Sequence, residues 1–278
     1  MAGGSRQPMF NLPGSLVFLI LAMAAVHGLR EYFLSPLIDA EFVRALAFVS
    51  GRFAFESNPD AVAAELTRIV ATGDSDALEV ARFFLDDGRA DYRTLVSYAF
   101  LHADWTHLGM NVLWLAAFGA PVAQRFGAGR TIAFFLVTAA AGAWAHHVIH
   151  PVDLTPVVGA SASVSGLMAA ALRFVFQPGA PLGRPVFSPD GPVAPGVRAP
   201  ALPLLHAWRD RRVVQFAILW FIINFVIGLL AKPLGIAEGG VAWEAHAGGF
   251  IVGFLIFGLF DPVRESAQDE GDDAQAKA

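Results

Sequence analysis

The sequence predicts an all-α membrane protein with six transmembrane helices. Of its 278 residues, 55% are hydrophobic and only 15% are charged, and its mean hydropathy is +0.54. Soluble domains carry about a quarter charged residues, so this composition is typical of an integral membrane protein. Six segments of about 18–22 residues are apolar enough to cross a bilayer about 30 Å thick. These predicted spans lie near residues 14–34, 105–124, 131–149, 157–177, 213–231 and 243–260.

The orientation of the spans follows from the Lys and Arg residues in short loops, because cytoplasmic loops carry an excess of both. The loop after the second span contains Arg125 and Arg130, and the loop after the fourth is also rich in arginine, whereas the loop after the third has neither residue type. Both termini are therefore expected in the cytoplasm. At the outer end of the first span, Arg30 and Glu31 are expected to reach the interface and pair there.

The chain is expected to form one membrane domain, residues 14–262, between two cytoplasmic ends. Residues 1–13 form a short N-terminus, and the first span is expected to be retained because no signal-peptide cleavage site follows it. Within the domain, residues 35–104 form a long outer loop and residues 178–212 a Pro- and Gly-rich cytoplasmic loop. The acidic tail 263–278 is expected to be disordered.

Several kinds of chemistry are disfavoured by composition. The chain has no cysteine, which excludes disulfides, a thiolate nucleophile and cysteine-based metal sites. Clustered basic residues are few, so no nucleic-acid partner is expected. His146, His147 and His150 cluster at the outer end of the third span, where interfacial exposure is the expected explanation. A metal site there is a weaker alternative, because no fixed carboxylate or thiolate partner is evident, and no cofactor is implied.

Polar side chains occur at the outer starts of three spans. His107 and Asn111 begin the second span, Ser161 lies about one turn into the fourth, and His246 about one turn into the sixth. With a rise of 1.5 Å per residue, all four would lie within about 10 Å of the outer surface. Such groups are costly in hydrocarbon, so their alignment at one depth indicates a functional site.

These groups suit acyl transfer. A serine becomes a useful nucleophile when a base removes its proton, so Ser161 is the candidate nucleophile and His246 the candidate general base. The Asn111 amide, the His107 ring and the backbone N–H groups around Ser161 are candidate donors to an oxyanion. Glu244 projects from another side of its helix and cannot orient His246. A Ser–His dyad is therefore expected, and not a triad.

Small residues flank both candidates, among them Gly159 and Gly249, and would allow close approach of spans four and six. Ordinary small-residue packing of the kind seen in transporters is the competing interpretation. Two further serines follow Ser161. Ser163 is expected to bond to a carbonyl one turn back, and Ser165 to pack against His246.

Spans two, four and six contain His107-Leu-Gly-Met-Asn111, Gly159-Ala-Ser161-Ala and Ala245-His246-Ala-Gly-Gly249. In order and spacing these segments resemble the three signatures of the rhomboid intramembrane serine proteases, over roughly residues 90–262. The resemblance implies a six-helix rhomboid-like bundle, with Ser161 as nucleophile and His246 as general base. It also implies that His107, Asn111 and the Ser161 amide contribute to the oxyanion hole.

Some positions outside the core motifs extend the resemblance and others depart from it. His102 matches the family histidine just before span two, and Arg125-Phe-Gly127 resembles the arginine–glycine turn after that span. Ala162 replaces the glycine that usually follows the serine. The Trp-Arg pair of the first outer loop is replaced by the near match Tyr92-Arg93, one residue too far from His102. Ala123 stands where an acidic residue is usual.

The expected function is therefore that of an intramembrane serine endopeptidase that cleaves transmembrane proteins near the outer membrane face. Its expected partners are transmembrane substrates and membrane lipid, and its expected location is a bacterial cytoplasmic membrane with the active site outside. The first alternative is a catalytically silent relative that binds membrane clients, which loss of the serine or histidine would favour. The second is a small-molecule transporter, which polar residues at mid-membrane and inverted repeats would favour.

Overall fold

The computed structural model describes residues 12–182, 186–188, 191–193, 201–230 and 241–262. Four of its helices are long and apolar enough to cross a membrane. They are α1 (Gly14–Phe33), α9 (Ala128–Ile149), α12 (Arg211–Leu230) and α13 (Trp243–Phe260). These helices match four of the six predicted spans, and they make the chain an integral multi-pass membrane protein.

The second predicted span is one helical path with a bulge. It consists of α7 (Trp105–Trp114), a π-helical segment (Leu115–Gly119) and α8 (Ala120–Phe126). Pro121 lies at the start of α8. Because proline has no N–H and its ring crowds the carbonyl four residues earlier, the preceding turn must widen, which accounts for the bulge.

The fourth predicted span, 157–177, is helical only over α10 (Ser161–Leu172). Its 12 residues reach about 18 Å, less than the thickness of the hydrocarbon core. The helix begins late because Gly159 has a φ of +119°, which is incompatible with helical backbone. The prediction therefore overestimated this helix at both ends.

Helix α10 lies at the centre of the fold, packed against α9 and α13. Every residue from Ala162 to Leu172 is buried. Small residues permit this packing, since a side chain at Gly166 would clash with Thr138 of α9, and one at Gly253 of α13 would clash with the Gly166 backbone. Residues at the start of α10 are consequently held close to both neighbouring helices.

The outer loop predicted at 35–104 contains a small helical assembly that the sequence analysis did not foresee. Asn58 and Asp74 accept N-terminal backbone hydrogen bonds of two of these helices, which is a capping signal readable from sequence. The assembly buries its own apolar cluster, which includes Val49, Val62 and Leu85. Its helices are α2 (Pro36–Leu46), α3 (Ser50–Ser57), α4 (Pro59–Ala71), α5 (Ser75–Leu85) and α6 (Thr94–Ser97), followed by a 3₁₀ turn (Tyr98–Phe100).

One contact joins this assembly to the chain before α10, and another holds its own helices together. Phe48 forms an antiparallel bridge with Val157, in the chain that leads into α10. The buried Arg52 side chain donates to the carbonyls of Phe84 and Arg44. Arg93, by contrast, is exposed and pairs with Asp91. The arginine of the near-match pair is thus occupied locally, while the Tyr92 ring lies edge-on to Phe53 with centroids 5.4 Å apart.

The predicted cytoplasmic loop 178–212 also contains regular structure. A short antiparallel hairpin pairs β1 (Val186–Ser188) with β2 (Gly191–Val193), and α11 spans Leu204–Ala207. The tail 263–278 and most of the predicted N-terminal segment lie outside the described residues.

Two arginines have partners that the sequence analysis did not predict. Arg30 pairs with Asp39 at 2.7 Å and donates to the His102 carbonyl at 2.7 Å. The expected pair with Glu31 is wrong, because adjacent residues of a helix point in different directions. Arg125 is fully buried and pairs with Asp261 at 2.8 Å, which joins the end of α8 to the end of α13.

Candidate active site

Ser161 and His246 meet between α10 and α13. The Nε2 atom of His246 lies 2.7 Å from the Oγ atom of Ser161. Ser161 is the first residue of α10, and so lies one turn earlier in its helix than predicted. The two backbones touch just beyond this pair, because a side chain at Gly249 would overlap the Ala162 carbonyl. This contact brings the short serine side chain within reach of the imidazole.

The other imidazole nitrogen of His246 also has a partner. Its Nδ1 atom lies 2.7 Å from the Oδ1 atom of Asn224 on α12. Sequence reasoning found no carboxylate to orient His246, and in the described structure Glu244 indeed faces His150 instead. It missed Asn224, whose signal was a polar amide inside an otherwise apolar helix.

His107 lies near Ser161, beside the sharp turn at Gly159. A Cβ atom added to Gly159 would lie 2.8 Å from His107 Nε2 and 3.8 Å from Ser161 Oγ. The histidine ring and the serine hydroxyl therefore border the same small volume. Any side chain at position 159 would fill that volume. The positive φ at this position also favours glycine.

Asn111 is buried one turn after His107 on α7. One of its amide hydrogens is donated to the His107 carbonyl at 3.0 Å. A side-chain amide has two hydrogens, so a second donor remains available in this residue. The first backbone N–H groups of α10, that of Ser161 included, have no acceptor within their own helix.

His102 is completely buried behind His107, with ring centroids 5.1 Å apart. Burial, reinforced by the neighbouring His107, lowers the pKa of His102 to about 3. Its ring is therefore uncharged at neutral pH. The ring nitrogens have no hydrogen-bond partner among the residues that the structure describes.

The two rival serines are engaged elsewhere. Ser163 donates to the Phe135 carbonyl of α9 at 2.7 Å, which corrects the predicted bond within its own helix. Ser165 donates to the Ser161 carbonyl at 2.7 Å, and so forms the back-bond that had been expected of Ser163. Of the three hydroxyls, Ser161 is the one hydrogen-bonded to an imidazole.

The histidines at the C-terminal end of α9 form a polar cluster with Glu244 of α13 and Asp153 of the loop after α9. His150 Nε2 lies 2.8 Å from Glu244, and His146 Nε2 lies 3.3 Å from Asp153. His146 is 4% exposed, so the predicted interfacial exposure is wrong for this residue. His147 contacts the Ser50 hydroxyl at 2.9 Å.

This polar cluster does not have the arrangement of a metal site. Across the described part of the chain, no group of three or more His, Asp and Glu side chains is placed to hold a metal ion. The carboxylates of the cluster serve instead as ion-pair partners of the histidines. The cluster connects the C-terminal end of α9 to the N-terminal end of α13, close to His246.

The fold and this site define a multi-pass helical membrane protein with a serine–imidazole pair where two tightly packed helices begin. A family model described as the Rhomboid domain matches residues 89–261, more than half of the chain. The chain therefore belongs to the rhomboid family.

Two relatives share the family with this chain at low identity. The rhomboid protease GlpG of Serratia proteamaculans is 25% identical over 177 residues, which cover 63% of this chain and 50% of that protein. The rhomboid protease GlpG of Yersinia enterocolitica is 25% identical over 175 residues, covering 62% and 49%. The chain thus spans about half the length of the relatives it matches.

Proposed function

We propose that this protein is an intramembrane serine endopeptidase that cleaves transmembrane substrates near the outer membrane face. The observation that carries the proposal is the 2.7 Å contact between His246 Nε2 and Ser161 Oγ. The printed names of its two relatives, both rhomboid proteases, support the same activity. Both members of the pair are present, which disfavours a silent client-binding relative.

In the proposed reaction, Ser161 attacks the scissile carbonyl while His246 takes the serine proton. His246 then protonates the leaving amine. In the second half of the reaction, water attacks the acyl-enzyme while His246 takes a proton from the water, and His246 returns that proton to Ser161 as the acid product leaves. The tetrahedral oxyanion would be stabilised by Asn111, His107 and the Ser161 backbone N–H. Support for these roles comes from the shared volume beside Gly159, which His107 and Ser161 both border.

The proposal includes six membrane crossings with both termini in the cytoplasm. The four long helices provide four crossings, and the α7–α8 path and α10 would provide the others, within one domain over residues 14–262. The short α10 fits this arrangement because buried backbone at membrane depth is tolerated inside a protein. The site would then face the outside of a bacterial cytoplasmic membrane, where water for hydrolysis is available.

The proposed substrates are transmembrane proteins, with lipid as the surrounding medium. A peptide bond in a membrane helix is shielded and hydrogen-bonded, so it must be unwound before attack. Substrates should therefore carry small or helix-breaking residues near the cut. The proposed chemistry uses protein side chains and water, with no cofactor.

The test is cleavage of a model transmembrane protein by the purified chain in liposomes. Ser161→Ala and His246→Ala should each lower the cleavage rate by at least about 10³-fold, because nucleophile and base act as one unit. Ser163→Ala is the matched control, because it removes a hydroxyl from the same helix, and that hydroxyl is bonded to a backbone carbonyl and not to an imidazole. The control should cleave at nearly the original rate.

A fluorophosphonate probe provides a second readout, with the labelled residue identified by mass spectrometry. Labelling is expected at Ser161. Cleavage that survives Ser161→Ala, or labelling of Ser163 or Ser165 in its place, would contradict the assigned nucleophile. A folded protein that neither cleaves nor takes up the probe would favour a client-binding or transport function.

A further inference from the structure

We infer that Asn224 is a positioning residue that holds His246 in the tautomer needed to accept a proton from Ser161. The inference deepens the proposed function and rests on it. Asn224 belongs to α12, a third helix in addition to those that carry the serine and the histidine. Its amide would orient the imidazole in the way that a carboxylate does in a serine protease triad.

The orientation of the Asn224 amide follows from its two neighbours. Its Nδ2 atom donates to the Trp220 carbonyl at 2.8 Å. A carbonyl oxygen only accepts hydrogen bonds, so the NH₂ group must face Trp220. The Oδ1 atom is consequently the one that faces His246 Nδ1, at 2.7 Å.

This orientation determines which imidazole nitrogen carries the proton. The Asn224 oxygen only accepts, so the His246 Nδ1 atom must be the donor. A neutral imidazole has one ring proton, and Nε2 is left with a lone pair. That lone pair faces Ser161 Oγ at 2.7 Å. Three hydrogen bonds, which connect the Trp220 carbonyl to the serine hydroxyl, thus leave His246 Nε2 as the atom that accepts the proton of Ser161.

Packing between α12 and α13 fixes the Asn224 side chain in place. Trp220, four residues before Asn224, stacks on Phe250 of α13 with ring centroids 4.5 Å apart. Gly228, four residues after Asn224, packs against the Trp243 side chain of α13, and a side chain at position 228 would overlap that tryptophan. Residues four apart share one helix face, so contacts on both sides of Asn224 hold it against His246.

Among the described residues, the titratable groups nearest to His246 are not hydrogen-bonded to its Nδ1 atom. His107 lies on α7, and Glu244 is bonded to His150 at 2.8 Å. Within the described chain, Asn224 is the side chain bonded to Nδ1 of His246. The orienting role can therefore be tested by changing one residue.

The test compares Asn224→Leu and Asn224→Asp with the unchanged protein in the liposome cleavage assay. Asn224→Leu removes the acceptor at similar size, and kcat should fall about 10- to 100-fold with KM within about twofold. Asn224→Asp keeps an acceptor for Nδ1 and should recover most of that loss. Its carboxylate also stabilises the protonated ring, so the acid limb of its pH–rate profile should move to higher pH by about one unit or more.

Stability measurements separate positioning from anchoring. Both variants lose the bond to the Trp220 carbonyl, so both should show a lower Tm, whereas only Asn224→Leu should show the large loss in kcat. Gln215→Leu, which replaces an exposed amide on the same helix, should leave both quantities unchanged. If Asn224→Leu does not fold, Asn224→Ala removes the acceptor without adding bulk.

Two results would overturn the inference. The first is an unchanged kcat in Asn224→Leu while the unchanged protein cleaves, which would leave the proposed function intact. The second is an equal loss of kcat in Asn224→Asp and Asn224→Leu with no shift of the pH profile, which would make Asn224 only an anchor of α12. An unchanged protein that neither cleaves nor takes up the fluorophosphonate would overturn the proposed function and this inference together.

Discussion

The methyl group of Ala162, the residue after Ser161, packs against the bare backbone of Gly142 on α9. The family position after the serine is usually glycine, and the sequence offered no reason for the extra methyl. Gly142 supplies that reason, because the space for the methyl exists where α9 has no side chain. The departure is thus accommodated by the neighbouring helix.

This relationship predicts a non-additive pair of substitutions. Gly142→Ala should lower the stability by about 1–3 kcal/mol, since its new methyl would overlap that of Ala162. Adding Ala162→Gly should recover part of the loss. Recovery should be partial because the new methyl also lies 2.8 Å from the Ala245 carbonyl. Thermal unfolding of the single and double variants in detergent measures the coupling, and strictly additive effects would contradict the packing.

Gly159→Ala should reduce cleavage by at least about tenfold in a protein that still folds. Alanine at a φ of +119° is strained by about 1–3 kcal/mol, and its methyl would press against the His107 ring. The measurement is the cleavage rate alongside the Tm. Gly28→Ala is the control, because a side chain at that helical position meets open space. Full activity in Gly159→Ala would show that the turn does not shape the site.

Asn111→Ala should lower kcat by about 10²–10³-fold with a small effect on KM. A donor to the oxyanion acts mainly in the transition state, so its loss slows the chemical step more than it weakens substrate binding. Steady-state kinetics in liposomes, with substrate varied in the membrane, measures the two constants separately. A change confined to KM would assign Asn111 to substrate binding instead.

Asp261→Asn should destabilise the protein by about 3–5 kcal/mol. The substitution removes the carboxylate from a buried ion pair between α8 and α13, and breaking such a pair is costly. Unfolding in increasing denaturant measures the loss. Asp210→Asn removes a carboxylate from the more exposed pair with Arg212 and should cost about 1 kcal/mol or less. Equal losses would contradict the importance of burial.

Asp153→Asn should lower the Tm at neutral pH by about 2–4 °C. Burial alone would raise the pKa of Asp153, but His146 and the Thr155 backbone N–H outweigh burial and hold it below its ordinary value. A carboxyl with a lowered folded pKa stabilises the fold above its unfolded pKa of about 4, and this contribution is lost as pH falls through the folded pKa.

The difference in Tm between Asp153→Asn and the unchanged protein should therefore be full at pH 7 and shrink below about pH 4. Asp87→Asn, at an exposed ion pair, is the matched control and should show no such dependence. A difference that persists unchanged at low pH would indicate a packing effect of the substitution and not the loss of a charge.

Much of the fold could be predicted because hydrocarbon imposes a simple rule on sequence. Long apolar runs such as 14–34 and 243–260 correspond closely to α1 and α13. The expectation of one long apolar helix per span failed where other parts of the protein shield the backbone from lipid. α10 can be short because neighbouring helices bury its backbone, and helices α2 to α5 are amphipathic elements that a search for apolar spans passes over.

The candidate site was predictable because three polar motifs interrupt apolar segments. Ser161, His246, His107 and Asn111 could be selected on that basis, and the structure brings Ser161 and His246 into hydrogen-bond contact. Asn224 could not be assigned a partner from sequence. One amide in an apolar helix is compatible with any neighbour, and the distance along the chain to His246 carries no information about rotation of α12.

The sequence by itself determined the class of protein, the family motifs and the identity of the serine and histidine, because each is a matter of residue type and order. Only the tertiary structure decided which atoms meet. The orientation of His246 depends on Asn224, and the room for the Ala162 methyl depends on Gly142. Both contacts arise from the relative rotation and packing of four helices, α9, α10, α12 and α13. That rotation is set by side-chain volumes summed over whole helix interfaces, which no single motif encodes.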